Sequence, residues 1–163
     1  MGLPRICTNK NSGFSLIEIL VVLGMLSLLA AFTLFIGTDS YRGYSFRNER
    51  DTIVSILQKA RSQAMSNVCL GSGCTGGEPH GVHFASGQYV IFQGSSFNPS
   101  DPNNEVRISG YNLDLTGSTM TDVIFTQLSG EATPTGAIRL TDPNTNHTSD
   151  ITINSAGQIA WTN

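Results

Sequence analysis

The sequence predicts an α+β fold: a long N-terminal helix whose first half is apolar enough to span a membrane and whose second half packs on a small antiparallel β-sheet domain. Three observations predict it. An apolar run covers Phe14–Ile36 with Glu18 as its only charge, an amphipathic stripe follows within residues 47–68, and beyond Asn67 short alternating runs are divided by turn residues. The chain has 163 residues, 39% hydrophobic and 13% charged, which suits one modest domain plus an appended segment. Its 17 Gly and abundant Thr, Ser and Asn favour strands and turns after residue 66.

Residues 1–13 form a short basic leader, with Arg5 and Lys10 and no acid. Residues 14–36 are long enough as a helix to cross a hydrocarbon core of about 30 Å. The positive-inside rule then keeps the leader in the cytoplasm and sends the C-terminal bulk across. No Pro occurs between Pro4 and Pro79, so the helix is expected to continue to about Ser66, roughly 80 Å in all, with Gly37 and Gly43 as points of bending. Over residues 37–66 the helix is amphipathic. Ile53, Ile56, Leu57, Ala60, Ala64 and Val68 recur at three- and four-residue spacing, and Arg50, Asp51, Lys59 and Arg61 take the other face. Pairing with a partner helix is the rival reading, but the stripe lasts too few turns to support a coiled coil.

Residues 67–163 read as a β-rich domain. "GVHF" and "QYVIF" flank Ala85-Ser86-Gly87 as a hairpin, and "EVRISGYNL", "DVIFTQL", "AIRLTD", "DITINS" and "QIAWTN" supply further strands. Asn154-Ser155-Ala156-Gly157 is expected to be a tight turn between the last two.

Glu18 is the anomaly in the apolar run. An ordinary secretory signal, with Leu29-Ala30-Ala31 as its cleavage site, has no use for a carboxylate that costs about 2.5 to 3.5 kcal/mol at bilayer centre. A plain membrane anchor leaves it equally unexplained. The carboxylate is tolerated if it snorkels to the interface or if it meets a cation, and the nearest candidate cation is an amino terminus created by cleavage just upstream.

The short basic leader, Gly13, Phe14 and "SLIEILVVL" together resemble the class III signal of type IV pilins and type II secretion pseudopilins. The resemblance implies that a prepilin peptidase cuts between Gly13 and Phe14 and methylates the new Phe14 amine. It implies that Glu18 neutralises the Phe14 amine of a neighbouring subunit as the helices leave the membrane for a filament. The partners it implies are the peptidase, other pilin or pseudopilin subunits, the inner-membrane assembly platform and membrane lipid. The location it implies is a single pass through the bacterial inner membrane with the C-terminal domain outside the cytoplasm, then the periplasm or a cell-surface filament. "QKARSQAMSNV", a Cys soon after, "GQYVIF" and "INSAGQI" are similar to the GspH/FimT group of pseudopilins and minor pilins. The function implied is a structural subunit that primes, caps or joins a type IV pilus or secretion pseudopilus. A major pilin subunit and a DNA-binding minor pilin for DNA uptake are the alternatives.

Cys7 lies in the leader, which leaves Cys69 and Cys74 as an exported pair that reads as a disulfide. Zinc held by that pair with His80 and His83 is the sharper alternative, but the spacing is compressed and the two His alternate along a strand. Asp142, Asn144, Asn146 and Asp150 stand at odd positions of a calcium-type loop, yet His147 occupies the place of the turning Gly and Ile153 that of the closing Glu. A polar hairpin turn is the plainer reading, and Asn146-His147-Thr148 also fits a glycosylation acceptor. No cofactor is called for, and no nucleophile motif, phosphate loop or paired carboxylates suggest an enzyme. Losing Arg5 and Lys10 makes the formal charge of −3 two units more negative, and only Arg107 and Arg139 follow residue 66, so nucleic acid is an unexpected partner.

Overall fold

The computed structural model describes residues 13–111 and 113–162, and of 33–40 it describes the backbone alone. Residues 1–12, with Arg5, Cys7 and Lys10, lie outside this description, as does the expected leader except for Gly13. Two compact units are present, Met1–Arg42 and Gly43–Asn163.

Helix α1 covers Leu16–Met65. Its start is set by Ser15, whose carbonyl and hydroxyl both accept from the Glu18 amide, at 3.0 and 3.3 Å. That is N-cap chemistry. Its end is set by Asn67, which turns left-handed at φ 55°, while the Asn67 and Val68 amides bond the Ala64 and Gln63 carbonyls at 3.2 and 3.0 Å. Asn is one of the few residues besides Gly that takes this conformation cheaply, and the two bonds form a Schellman stop.

In the first unit the apolar side chains from Phe14 to Phe32 are exposed. Among the described residues no helix is long and apolar enough to cross a membrane, so the expected span over Phe14–Ile36 is not supported by the structure. A span needs about 20 predominantly apolar residues. The described side chains of the run end at Phe32 and include Glu18, Gly24 and Ser27, with the Ser27 hydroxyl turned back onto the Gly24 carbonyl at 2.8 Å.

The second unit holds two antiparallel sheets rather than the single one expected. The larger has strands β1 (His80–Ala85), β2 (Gln88–Gln93), β3 (Glu105–Ile108), β4 (Asp122–Phe125) and β5 (Ala132–Thr133) in the order β3-β2-β1-β4-β5. The smaller has β6 (Gly136–Thr141), β7 (Thr148–Ile153) and β8 (Ile159–Thr162) in chain order. The short β5 was hidden in the sequence because two residues carry no alternation to detect.

One core joins the helix to both sheets. Ile53, Ile56, Leu57, Ala60 and Ala64 are buried, as the stripe predicts, together with Phe46 and Val54. Val82 and Phe84 of β1, Tyr89 and Ile91 of β2 and Val123 and Phe125 of β4 meet them from the larger sheet. Ile138, Leu140, Ile151 and Ile153 meet them from the smaller. Arg50, expected on the solvated face, is buried instead: its guanidinium bonds Asp51 at 2.9 Å and sits 5.7 Å from the Trp161 ring centroid. Cation–π contact lets a cation stay charged against apolar surface. Arg61 likewise leaves solvent for the carbonyls of Gly130 and Ala156, at 3.3 and 3.0 Å.

The other face of the larger sheet has its own cover. Gly81 lies opposite Phe92, and a Cβ on Gly81 would stand 2.4 Å from that ring and 2.8 Å from the Val123 carbonyl oxygen. Phe97, from the loop after β2, packs 5.5 Å from Phe92 and stacks on His83 at 4.0 Å.

Candidate processing and assembly site

Gly13 and Phe14 precede the helix in non-helical, exposed chain, with Phe14 78% exposed. A peptide bond there is open to a protease because no helical hydrogen bond or packed side chain holds it. Glu18 follows in the first turn of α1 and is exposed. Its position gives the carboxylate a local role that sequence reasoning missed. Ser15 and Glu18 have the Ser-x-x-Glu spacing of a capping box, and an acid in a first turn is favoured by the helix dipole by about 0.3 to 1 kcal/mol. The signal was legible in "SLIE"; it was overshadowed by the cost of a charge in an apolar run.

Cys69 and Cys74 form a disulfide, with Cα atoms 5.8 Å apart. Gln93 at the end of β2 ties the loop down: its side-chain oxygen accepts from the Leu70 amide at 2.5 Å, and its nitrogen donates to the Leu70 carbonyl and approaches the Cys74 sulfur at 3.7 Å. A bonded pair has no thiolates to offer zinc.

The two histidines diverge. His80 is buried on the core side of β1, where its Nδ1 contacts the Glu78 carbonyl at 3.1 Å. Burial holds its pKa below the ordinary 6.5. His83 faces the opposite side, with Nδ1 2.7 Å from the Asp122 carboxylate. Three positions along a strand separate them, so their rings point to opposite faces.

The residues of the calcium-type candidate span the hairpin turn between β6 and β7 and the start of β7. The Asp142 carboxylate, 1% exposed, is occupied by its own chain: it accepts from the Asn144 amide at 2.9 Å, the Thr145 hydroxyl at 2.5 Å and the Tyr111 hydroxyl at 3.0 Å. Burial pushes its pKa up, but these hydrogen bonds outweigh that and leave it below the usual carboxylate range. Asn146 makes the left-handed turn at φ 55° and its amide closes onto the Asp142 carbonyl at 2.8 Å. Asp150 is drawn away to a two-pronged pair with Arg139 on β6, at 2.8 and 2.7 Å. Among the described residues no three His, Cys, Asp or Glu side chains are grouped to hold a metal ion.

Neither curated proteins nor solved structures give a match to this chain. A family model does: the one described as "Prokaryotic N-terminal methylation motif" matches residues 8–34, which encloses Gly13, Phe14 and Glu18. The chain thus carries a class III prepilin signal on an α+β, pilin-like fold, consistent with a subunit of the type IV pilin and pseudopilin kind.

Proposed function

We propose that this chain is a minor pilin or pseudopilin, a structural subunit that is cut between Gly13 and Phe14, methylated on Phe14, and joined to neighbouring subunits through its apolar helix. The observation that carries the reading is the methylation motif over residues 8–34 with its scissile bond in exposed, non-helical chain directly ahead of the Ser15 cap. The prepilin signal implies two partners, a prepilin peptidase and other pilin subunits. Before assembly the subunit is held at the membrane by the same segment that later packs in the filament. The exposed Leu16, Leu20, Leu23 and neighbouring apolar side chains support that role, since a patch of this kind marks a surface that something else covers.

Glu18 meets the Phe14 amine of the next subunit in this reading. The pairing favours one stagger because a buried carboxylate is tolerated only where a cation arrives. No observation favours nucleic acid as a partner. Arg107 and Arg139 are both paired, with Glu105 at 2.6 Å and Asp150 at 2.7 Å, and a phosphate backbone would have to displace those acids.

Quantitative mass spectrometry of filaments sheared from the native host tests the reading. A chain beginning at methylated Phe14, at low copy beside a commoner pilin, is the expected result. A chain that dominates the filament would make it the major subunit; a chain that begins elsewhere would overturn the proposal.

A further inference from the structure

Within the second unit a cavity of about 170 Å³ is lined by Gly43, Phe46, Arg47, His147 and Thr148. Phe46, itself buried, is part of the lining, whose polar groups are a guanidinium, an imidazole and a hydroxyl, with no carboxylate among them. Among the described residues of this unit, Arg47 differs from the other cations. Arg50, Lys59, Arg107 and Arg139 each pair with an acid, and Arg61 is spent on two carbonyls. Arg47 has no such partner.

The acids nearest the lining residues are engaged elsewhere: Asp51, four positions along α1 from Arg47, pairs with Arg50. Asp150 and Asp142 are the carboxylates nearest in sequence to His147; Asp150 is paired with Arg139, and Asp142 is turned inward onto Tyr111, Thr145 and Asn144. The Asp142 amide donates to the His147 carbonyl at 2.9 Å and so fixes the backbone that presents His147 and Thr148. A guanidinium without an acid partner, beside two more hydrogen-bonding side chains in a cavity whose lining holds no carboxylate, is an anion-binding arrangement. The volume is below the roughly 300 Å³ at which pockets begin to take drug-sized molecules, so a small group fits it.

We propose that this cavity binds a phosphate group, with Arg47 as the charged fork and Thr148 and His147 completing the hydrogen bonds. The source is either a soluble phosphate or an anionic lipid headgroup. The site stands independently of the assembly role and is tested without filaments.

The experiment is an NMR titration of the full chain in neutral detergent micelles with inorganic phosphate, against chloride at matched ionic strength. Saturable shifts of the Arg47 side-chain Nε and the Thr148 amide are expected. Arg47→Gln should weaken the response at least about tenfold, the loss expected for one charge-assisted hydrogen bond or more. Arg107→Gln, which removes a charge outside the cavity, should leave it unchanged. A second arm replaces the micelles by bicelles containing phosphatidylglycerol or phosphatidylcholine alone. Shifts of the same signals with phosphatidylglycerol assign the lipid headgroup, and shifts with inorganic phosphate only assign a soluble ligand. No saturable response in either arm, or one that survives Arg47→Gln in a variant with unchanged amide dispersion, overturns the proposal. So does a shift of Arg47 that appears with rising chain concentration and no phosphate, since that would give the site to a carboxylate of a second copy.

Discussion

Glu18 has an observed place in the isolated chain and a proposed one in the filament. In the isolated chain it stands in the first helical turn, three residues from the Ser15 cap, where a negative charge is favoured. In the proposed filament it meets an amine. The two roles separate by mutation. Glu18→Ala should leave cleavage between Gly13 and Phe14 intact and abolish incorporation into filaments, as read by immunoblotting of sheared material. Ser15→Ala removes the cap at a cost of about 1 kcal/mol, keeps the carboxylate, and should still be incorporated. Normal incorporation of Glu18→Ala would remove the assembly role.

His80 belongs to the same scale. Its folded pKa is lowered by burial, so the fold holds the neutral ring; that contribution is complete above pH about 6.5 and is lost as pH falls through the folded value. The carboxylates of Asp142 and Asp150 are also held below their ordinary 3.8, Asp150 chiefly by the Arg139 hydrogen bond, and their contribution is lost at still lower pH. Thermal denaturation followed from pH 7.5 to 3 should therefore fall in two phases. His80→Gln should lack the first and keep the second; an unaltered first phase would assign it to another group.

At the scale of elements, close packing makes individual positions intolerant. Gly81 is needed because β1 brings it against the Phe92 ring on the covered face of the larger sheet. Gly81→Ala is expected to destabilise by about 1 to 3 kcal/mol, the usual range for overpacking, and chemical denaturation measures it. The disulfide acts differently. The five-residue separation of Cys69 and Cys74 closes a small loop, so the double Ser variant should lose about 2 kcal/mol in the chain-entropy model. The strands should persist, because Gln93 still ties the loop through Leu70. A variant with unchanged denaturant midpoint would mean the loop is ordered equally well without the bond.

For the whole molecule, the two units predict different solution behaviour. The core draws on residues from Phe46 to Ile153 and so lies inside Gly43–Asn163. A fragment of that span should fold and sediment as a soluble species without detergent. The full chain, with Phe14 to Phe32 exposed, should need detergent or associate. Analytical ultracentrifugation of both distinguishes the cases, and an insoluble fragment would show that the first unit contributes to the fold.

Local pattern was enough for the α+β class, the long helix, its buried stripe, most strands and the Asn154–Gly157 turn, because each depends on periodicity or on residues adjacent in the chain. The methylation motif was legible for the same reason: its residues lie within one short segment. Tertiary structure alone decided what depends on distant residues meeting. The strands divide into two sheets, Arg50 is buried beneath Trp161, and His80 and His83 part to opposite faces. Asp142 and Asp150, only eight positions apart in sequence, are separated by stronger local claims, the turn's own donors on one and Arg139 on the other. Spacing lists which groups could converge, whereas hydrogen-bond competition and packing in the folded chain select those that do.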